Sequence, residues 1–517
     1  MKRIGGYFIK LMIVLGVGIS SAAAANKTYD IAIIGGRVID PETGLDAVRN
    51  VGVTEGTISV VTTKDITAKT MIDAKGRVVS PGFIDLHAHG QTIPAARMQA
   101  LDGVTTGLEL EAGVLPVSDY YDQMAKEGRP INYGASVNWA YARIAAFLNK
   151  KPRHDIDWFF ESLKEPVWQE EIATDAQQAE ISALVSKGLD EGGLGVGFLL
   201  GYAPGTGRKE YYKITDLAAK AGVPTFTHAR FLSMLEPESS FEGMAEIVAA
   251  AAGTGAQAHI VHMNSISLRD IDTIGEMIAT AQKQGVKITT EAYPYGAGST
   301  GIGSAMFRGP KWRERTGGMT AHNFDVGGKR LTEDEFSALQ KDHPGTETVI
   351  HFLDTTTAEG QAVLDKSVLF PGGVIASDGG GWLVDGKNVS KDTWPIPENA
   401  WSHPRSAATY SSFLRHYVRE TKTISVLEAI RRVSFGPAQI LEDAVPQMKR
   451  KGRIQVGTDA DIVIFDLATV TDHATYEKPA QASSGFDYVI VGGVPLVKDG
   501  ILDTTVLPGQ PVRNLQK

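Results

Sequence analysis

His87 and His89 close the apolar run Pro81-Gly82-Phe83-Ile84-Asp85-Leu86, spaced so that both leave the same face of a strand. Two imidazoles on one face can grip one divalent ion. The same arrangement, a polar donor where an apolar run stops, recurs at Val223-Pro224-Thr225-Phe226-Thr227-His228, at Ala258-His259-Ile260-Val261-His262 and at Val374-Ile375-Ala376-Ser377-Asp378. Each alone is an ordinary core histidine or a helix-capping aspartate; in succession they form a donor set. Glu109 and Glu111 share a face within Gly107-Leu108-Glu109-Leu110-Glu111, and carboxylates among apolar neighbours are costly unless a cation offsets them. Nitrogen-rich donors of this kind favour zinc, which activates water for attack on a carbonyl while a carboxylate moves the proton. The chain has no cysteine, which excludes a thiol nucleophile, and it carries no Gly-x-Ser-x-Gly elbow. His259 stands three residues before His262, so it faces the other way and is expected to be structural. His154, His322, His343, His351, His416 and His473 have no comparable context.

Donors so far apart in sequence meet only if the elements carrying them end at one mouth. From Pro81 onward, apolar strands alternate with amphipathic segments such as Ser239 to Ala252, Leu268 to Gln284 and Ser425 to Val433. Strand-helix alternation over this length predicts an α/β fold, a (β/α)8 barrel spanning 81–445 whose strands present reactive residues at their C-terminal ends. Short β-rich runs separated by glycine turns fill 26–80 and return in 446–517, which predicts a small β-sandwich built from both terminal segments. The polar stretch 309–346 reads as an insertion or lid.

The stretch from Pro81 to His89 resembles the first barrel strand of the amidohydrolase superfamily, metal-dependent hydrolases of amide and related C–N bonds. A histidine pair, then His228, then His262, then Asp378 on the last strand is that superfamily's donor order. Further motifs narrow the likeness: Gly193-Leu194-Gly195, Gly201-Tyr202-Ala203-Pro204-Gly205, Thr227-His228-Ala229-Arg230, Tyr293-Pro294-Tyr295-Gly296-Ala297-Gly298-Ser299-Thr300, Ser377-Asp378-Gly379 and His403-Pro404-Arg405-Ser406 are similar to the D-aminoacylase branch, the N-acyl-D-amino-acid deacylases. The resemblance covers nearly the whole chain from Tyr29. It departs from that branch at Ala112, where a cysteine ligand is usual, and at Asn264, where a lysine often stands. Many superfamily members bridge their metals with a carbamylated lysine on strand four; the run Leu194 to Leu200 contains none. The Glu-x-Glu variant is similar to sequences described as N-acyl-D-glutamate deacylases.

The expected centre therefore holds two zinc ions on His87, His89, His228, His262 and Asp378, bridged by Glu111, with Glu109 as second choice for the bridge. Asp378 would take the proton of the attacking water and return it to the leaving amine. For the substrate carboxylate the resemblance implies Tyr293 and Ser299, and chemistry favours an arginine fork, Arg230 or Arg405. Arg230 shares a strand face with His228 and is preferred, although it could equally pair with Glu109. Cyclic amides or cell-wall dipeptides are the alternative substrates on the same metals. A periplasmic binding protein that has lost catalysis is the alternative of another class.

Lys2, Arg3 and Lys10 precede the apolar run Leu11 to Ile19 and an alanine-rich stretch ending at Ala25, the build of a secretory signal peptide over 1–25. Export to a periplasm is expected. The apolar run is shorter than the ~20 residues of a membrane span. Removing the segment takes the formal charge from −9 to −12, which leaves no electrostatic case for nucleic acid or anionic membrane; the partner should be a small molecule. Oligomeric state is not legible.

Overall fold

The computed structural model describes Met1 and residues 28–514, so the expected signal peptide lies outside the described residues. Eight strands form a parallel sheet in chain order: β1 Phe83–Asp85, β2 Val104–Val114, β3 Asn132–Asn138, β4 Val196–Leu199, β5 Thr225–His228, β6 Ala258–Ile260, β7 Ile288–Ala292 and β8 Val374–Ile375. The seam between β8 and β1 is made just past the strand ends. Ala88 bridges to Gly379 in parallel, Gly90 N–H donates to the Gly379 carbonyl, and Asp85 accepts from Ser377 N–H at 3.0 Å and from the Ser377 hydroxyl. The result is the expected (β/α)8 barrel.

Helices cover the outside because their apolar stripes meet β-branched strand residues. Ile181, Val185, Ile214, Ile247, Ile274 and Ile278 are all fully buried against Val137, Val196, Phe198 and Ile260. Each such side chain contributes about 1.5–3 kcal/mol on burial. The helix Ser240–Thr254 begins where the sequence places it: Ser239 and Glu242 form a reciprocal capping box, and Gly255 ends it at φ +73°.

The terminal segments join as expected, and by hydrogen bonding they make one nine-stranded sheet. Ile462–Phe465 pairs antiparallel with Val78–Pro81, linking the N-terminal strands 29–81 to the C-terminal strands 462–502. Strand Tyr29–Asp40 is interrupted at Gly35-Gly36, so its first half pairs with Ala68–Asp73 and its second half with Val78–Pro81, and the sheet folds over its own core of Ile33, Val51, Ile58, Ile462 and Ile464. The last segment runs back under the barrel, with Arg129 bridging to Pro508, Tyr133 to Pro511, and Tyr121 Oη donating to the Val512 carbonyl at 2.7 Å.

The insertion between β7 and β8 is wider than 309–346. Its sheet begins at Ala297–Gly301 and ends at Glu347–His351, which pair with each other, and Phe324–Val326 and Lys329–Arg330 extend it. Phe307, Trp312, Phe324, Phe336 and Ile350 give it a core of its own. The first flanking strand is not distinguishable in sequence because Ala-Gly-Ser-Thr-Gly lacks the bulky alternation that marks a strand. No helix among the described residues is long and apolar enough to cross a membrane.

Candidate metal centre and substrate cleft

His228 ends β5, while His87, His89, His262 and Asp378 lie just past the ends of β1, β6 and β8; all turn toward the mouth where Glu109 and Glu111 on β2 also point. Glu111 stands between two histidine pairs. Its Oε1 is 2.8 Å from His228 Nδ1 and 2.9 Å from His262 Nε2, and its Oε2 is 3.1 Å from His87 Nε2 and 3.3 Å from His89 Nε2. Asp378 Oδ1 completes the second pair at 3.4 and 3.3 Å from the same two nitrogens. Glu109 is placed behind, on His89 Nδ1 at 2.8 Å, so of the two glutamates it is Glu111 that lies between the two histidine pairs. His262 and Asp378 sit at φ +30° and +51°, a sparsely populated region for residues other than glycine that is held here by the surrounding packing. Gly201 leaves room for the His228 ring, since a Cβ there would lie 2.6 Å from its Cδ2.

The donor atoms fit divalent ions. An ionised carboxylate only accepts, so His87 Nδ1 donates to Glu291 Oε1 at 2.5 Å and His89 Nδ1 to Glu109. The two Nε2 atoms then face each other at 3.1 Å with Glu111 Oε2 and Asp378 Oδ1 beside them, a convergence of nitrogen donors and carboxylate charge that a divalent cation would satisfy. His228 Nδ1 and His262 Nε2 meet likewise at 3.0 Å. The field agrees. Burial alone would lower His87, yet Asp378, Glu111 and Glu291 push it well above its ordinary value; His89 is raised in the same sense, burial again opposed by Glu109 and Asp378. Burial would raise Glu111, and His87, His228 and His262 hold it well below the usual carboxylate range. The two clusters His87/His89/Glu111 and Glu111/His228/His262 each have donor atoms close enough for one ion.

Glu291 was missed by sequence reasoning. It receives His87, takes His259 Nε2 on its other oxygen at 3.0 Å and accepts from His262 N–H at 3.3 Å. A carboxylate behind a ligating histidine fixes its tautomer and orientation. The available signal was the position of Glu291 at the end of β7, the same strand-end signal that marks the histidines. His259 is structural as expected, held between Glu291 and Thr289.

A cleft of about 730 Å³ opens from His89, Glu111 and Asp378 and runs out between the helix Ile156–Ser162, the insertion and the hairpin Leu383–Asn388. Arg405 lines it, almost wholly buried, with Nη2 2.9 Å from Asp378 Oδ1, its guanidinium 4.6 Å above the Tyr293 ring, and Nε and Nη1 without partners. Tyr293 sits on the inner side with Gly298, whose missing Cβ would come 3.1 Å from the tyrosine hydroxyl. Arg230 is not in the cleft. Its Nε and Nη2 bind Glu246 and its Nη1 the carbonyls of Pro204 and Thr206. The alternation rule fails there because β5 ends at His228 and the chain turns before Arg230. Ser299 lines the cleft but its hydroxyl donates to Glu347 Oε1 at 3.1 Å. Asn264 is committed to the carbonyls of Tyr293 and Tyr295, and His403 to the Ala297 carbonyl and the Arg405 N–H.

A parallel barrel with a histidine and carboxylate cluster at its C-terminal mouth defines a class, the barrel metallohydrolases. The model of the amidohydrolase family matches residues 70–365 and 377–497, and the chain belongs to that family. Among its relatives is an N-acyl-D-glutamate deacylase of Alcaligenes xylosoxydans xylosoxydans, 24% identical over 513 residues that span 90% of this chain and 93% of that protein. A dihydroorotase of Elusimicrobium minutum is 25% identical over 486 residues, 90% of this chain and 97% of that one. The crystal structure of N-acyl-D-glutamate deacylase from Bordetella bronchiseptica, complexed with zinc and a phosphonate that mimics the tetrahedral intermediate, matches with a TM-score of 0.74 at 23% identity, covering 94% of this chain and 100% of that one. That likeness shows the fold.

Proposed function

We propose that this amidohydrolase cleaves the amide bond of N-acyl-D-amino acids, with two divalent ions, most simply zinc, held by His87, His89, Asp378, His228 and His262 and bridged by Glu111. The observation that carries the reading is Glu111, one oxygen on each histidine pair, at the floor of a cleft that also holds an arginine with two unpartnered donors. Bound ions would supply an acidified water and polarise the scissile carbonyl. Asp378, beside the Nε2 atoms of His87 and His89, takes the proton as water adds and returns it to the departing amine. Arg405, with Tyr293 beneath it, receives the substrate carboxylate on its unpartnered Nη1. The likeness to N-acyl-D-amino-acid deacylases supports the D preference.

The test is amine release by the zinc-loaded protein from paired N-acetyl-D- and N-acetyl-L-amino acids. Release confined to the D series supports the proposal; release from the L series alone removes the stereochemical part. The dihydroorotase likeness favours a second reading, ring opening of cyclic amides on the same metals, and consumption of dihydropyrimidines or hydantoins without any amine release would establish it instead. Turnover of no substrate by metal-replete protein would favour a binding protein. Export belongs to this proposal as well: a secreted chain beginning just after Ala24 or Ala25 is the expected mass-spectrometric result.

A further inference from the structure

Glu347, at the start of the insertion's last strand, turns its half-buried carboxylate into the cleft, with Ser299 Oγ as its one hydrogen-bond donor among the described residues. Burial pushes it upward, and Arg405 and His89 act on it from across the cleft without pairing with it. The cleft rim repeats the sign. Asp157 and Asp385 line it, with Glu161, which Arg153 pairs at 3.2 Å; among the described residues no lysine lines it, and its arginine, Arg405, already carries Asp378 on Nη2. An N-acetyl amino acid oriented by its carboxylate on Arg405, with its carbonyl at the metal donors, keeps only a methyl on the acyl side, so its side chain is the large group left to enter the wide part of the cleft. An acidic side chain there would meet Glu347 with no unpaired lysine or arginine lining the cleft to receive it, and like charges brought together across a binding surface are costly.

Resting on the deacylase reading, we propose that Glu347 is the specificity residue of this site and selects N-acylated amino acids whose side chain ends in an ammonium or guanidinium group. The cation would complete the hydrogen bonding that Ser299 alone supplies, and the rim carboxylates would steer it inward. The expectation of an N-acyl-D-glutamate substrate is then replaced by one of opposite charge.

The experiment compares kcat/KM for N-acetyl-D-lysine, N-acetyl-D-arginine, N-acetyl-D-norleucine and N-acetyl-D-glutamate on zinc-loaded full-length protein and on Glu347→Gln. Norleucine matches the lysine chain without its charge. At least tenfold preference for lysine or arginine over norleucine, with glutamate poorest, is expected, and Glu347→Gln should bring the lysine to norleucine ratio to within about twofold. The ratio is internal to each protein, so a lower active fraction in the variant does not affect it; Glu347→Asp, retaining the charge, should keep part of the preference. A ratio near one in the wild type, with norleucine turned over, overturns the inference and leaves the deacylase reading standing. Preference that survives in Glu347→Gln also overturns it. No release from any of the four D substrates, with metal bound, overturns the deacylase reading itself.

Discussion

Glu291 holds His87 and His259 at once, so the orientation of one proposed ligand depends on a carboxylate that need not touch metal. Glu291→Gln keeps the shape and loses the charge; a 10- to 100-fold loss in metal affinity or activity is expected, read by metal retained after dialysis against a weak chelator and by kcat. Unchanged metal content and rate would remove Glu291 from the positioning role. Arg230 gives the opposite forecast. With every outward donor committed to Glu246 and two carbonyls, Arg230→Ala should leave KM unchanged and cost about 3–5 kcal/mol of stability in chemical denaturation, because Glu246 is left without its partner. A raised KM at full stability would return Arg230 to the cleft. These two residues show what was legible. The histidines and Asp378 could be found because each ends an apolar run, and on a strand the side chain's direction follows from alternation. Arg230 lies past the strand, where alternation carries no information, and Glu291 was passed over because its partners come from β1 and β6.

At the scale of elements, the helix Arg405–Phe413 is broken at Ala408, whose φ is −147°, and the break separates the turn that carries Arg405 from the rest. Asp102, at the end of the helix Ile93–Leu101, accepts the Tyr410 and Ser411 N–H groups at 2.7 and 3.0 Å and the Ser483 hydroxyl at 2.8 Å, so the backbone donors freed by the break are satisfied from another element. Burial pushes the Asp102 carboxyl up to about 7 against those donors. A carboxyl raised on folding favours the folded state in its protonated form, so its stabilisation is complete below about pH 4 and is lost as pH rises toward 7. Asp102→Asn removes that titration. The difference in Tm between variant and wild type should therefore move in the variant's favour from pH 4 to 8, superimposed on a constant loss from the acceptor that Asn lacks; a difference that is flat with pH would show that Asp102 does not titrate as its burial dictates. A cap reaching across about 300 residues leaves no local trace in sequence, where Asp102-Gly103 reads only as a turn. The barrel was legible for the opposite reason: strand and helix alternation is a local pattern repeated many times.

At the scale of the molecule, the segment after residue 505 packs Pro508, Pro511 and Val512 against the barrel's lower end, far in sequence from the donors. Ending the chain at 505 should lower Tm by several degrees while leaving bound metal per folded molecule unchanged; loss of metal as well would mean that the barrel's two ends are coupled. The terminal sheet carries a different consequence, one of timing. Arg77 pairs with Asp487, 410 residues later, and Val78–Pro81 waits for Ile462–Phe465 to cover its second edge. At ~5–20 residues per second of synthesis that wait is on the order of 20–80 s. Throughout it the nascent chain presents an open β-edge, the template on which chains aggregate. By then Asp378 has already been made, so a prematurely terminated product holds every proposed ligand and still lacks the strand that shields it from its neighbours. Ribosome stalling late in the message should therefore yield insoluble protein rather than a smaller active enzyme.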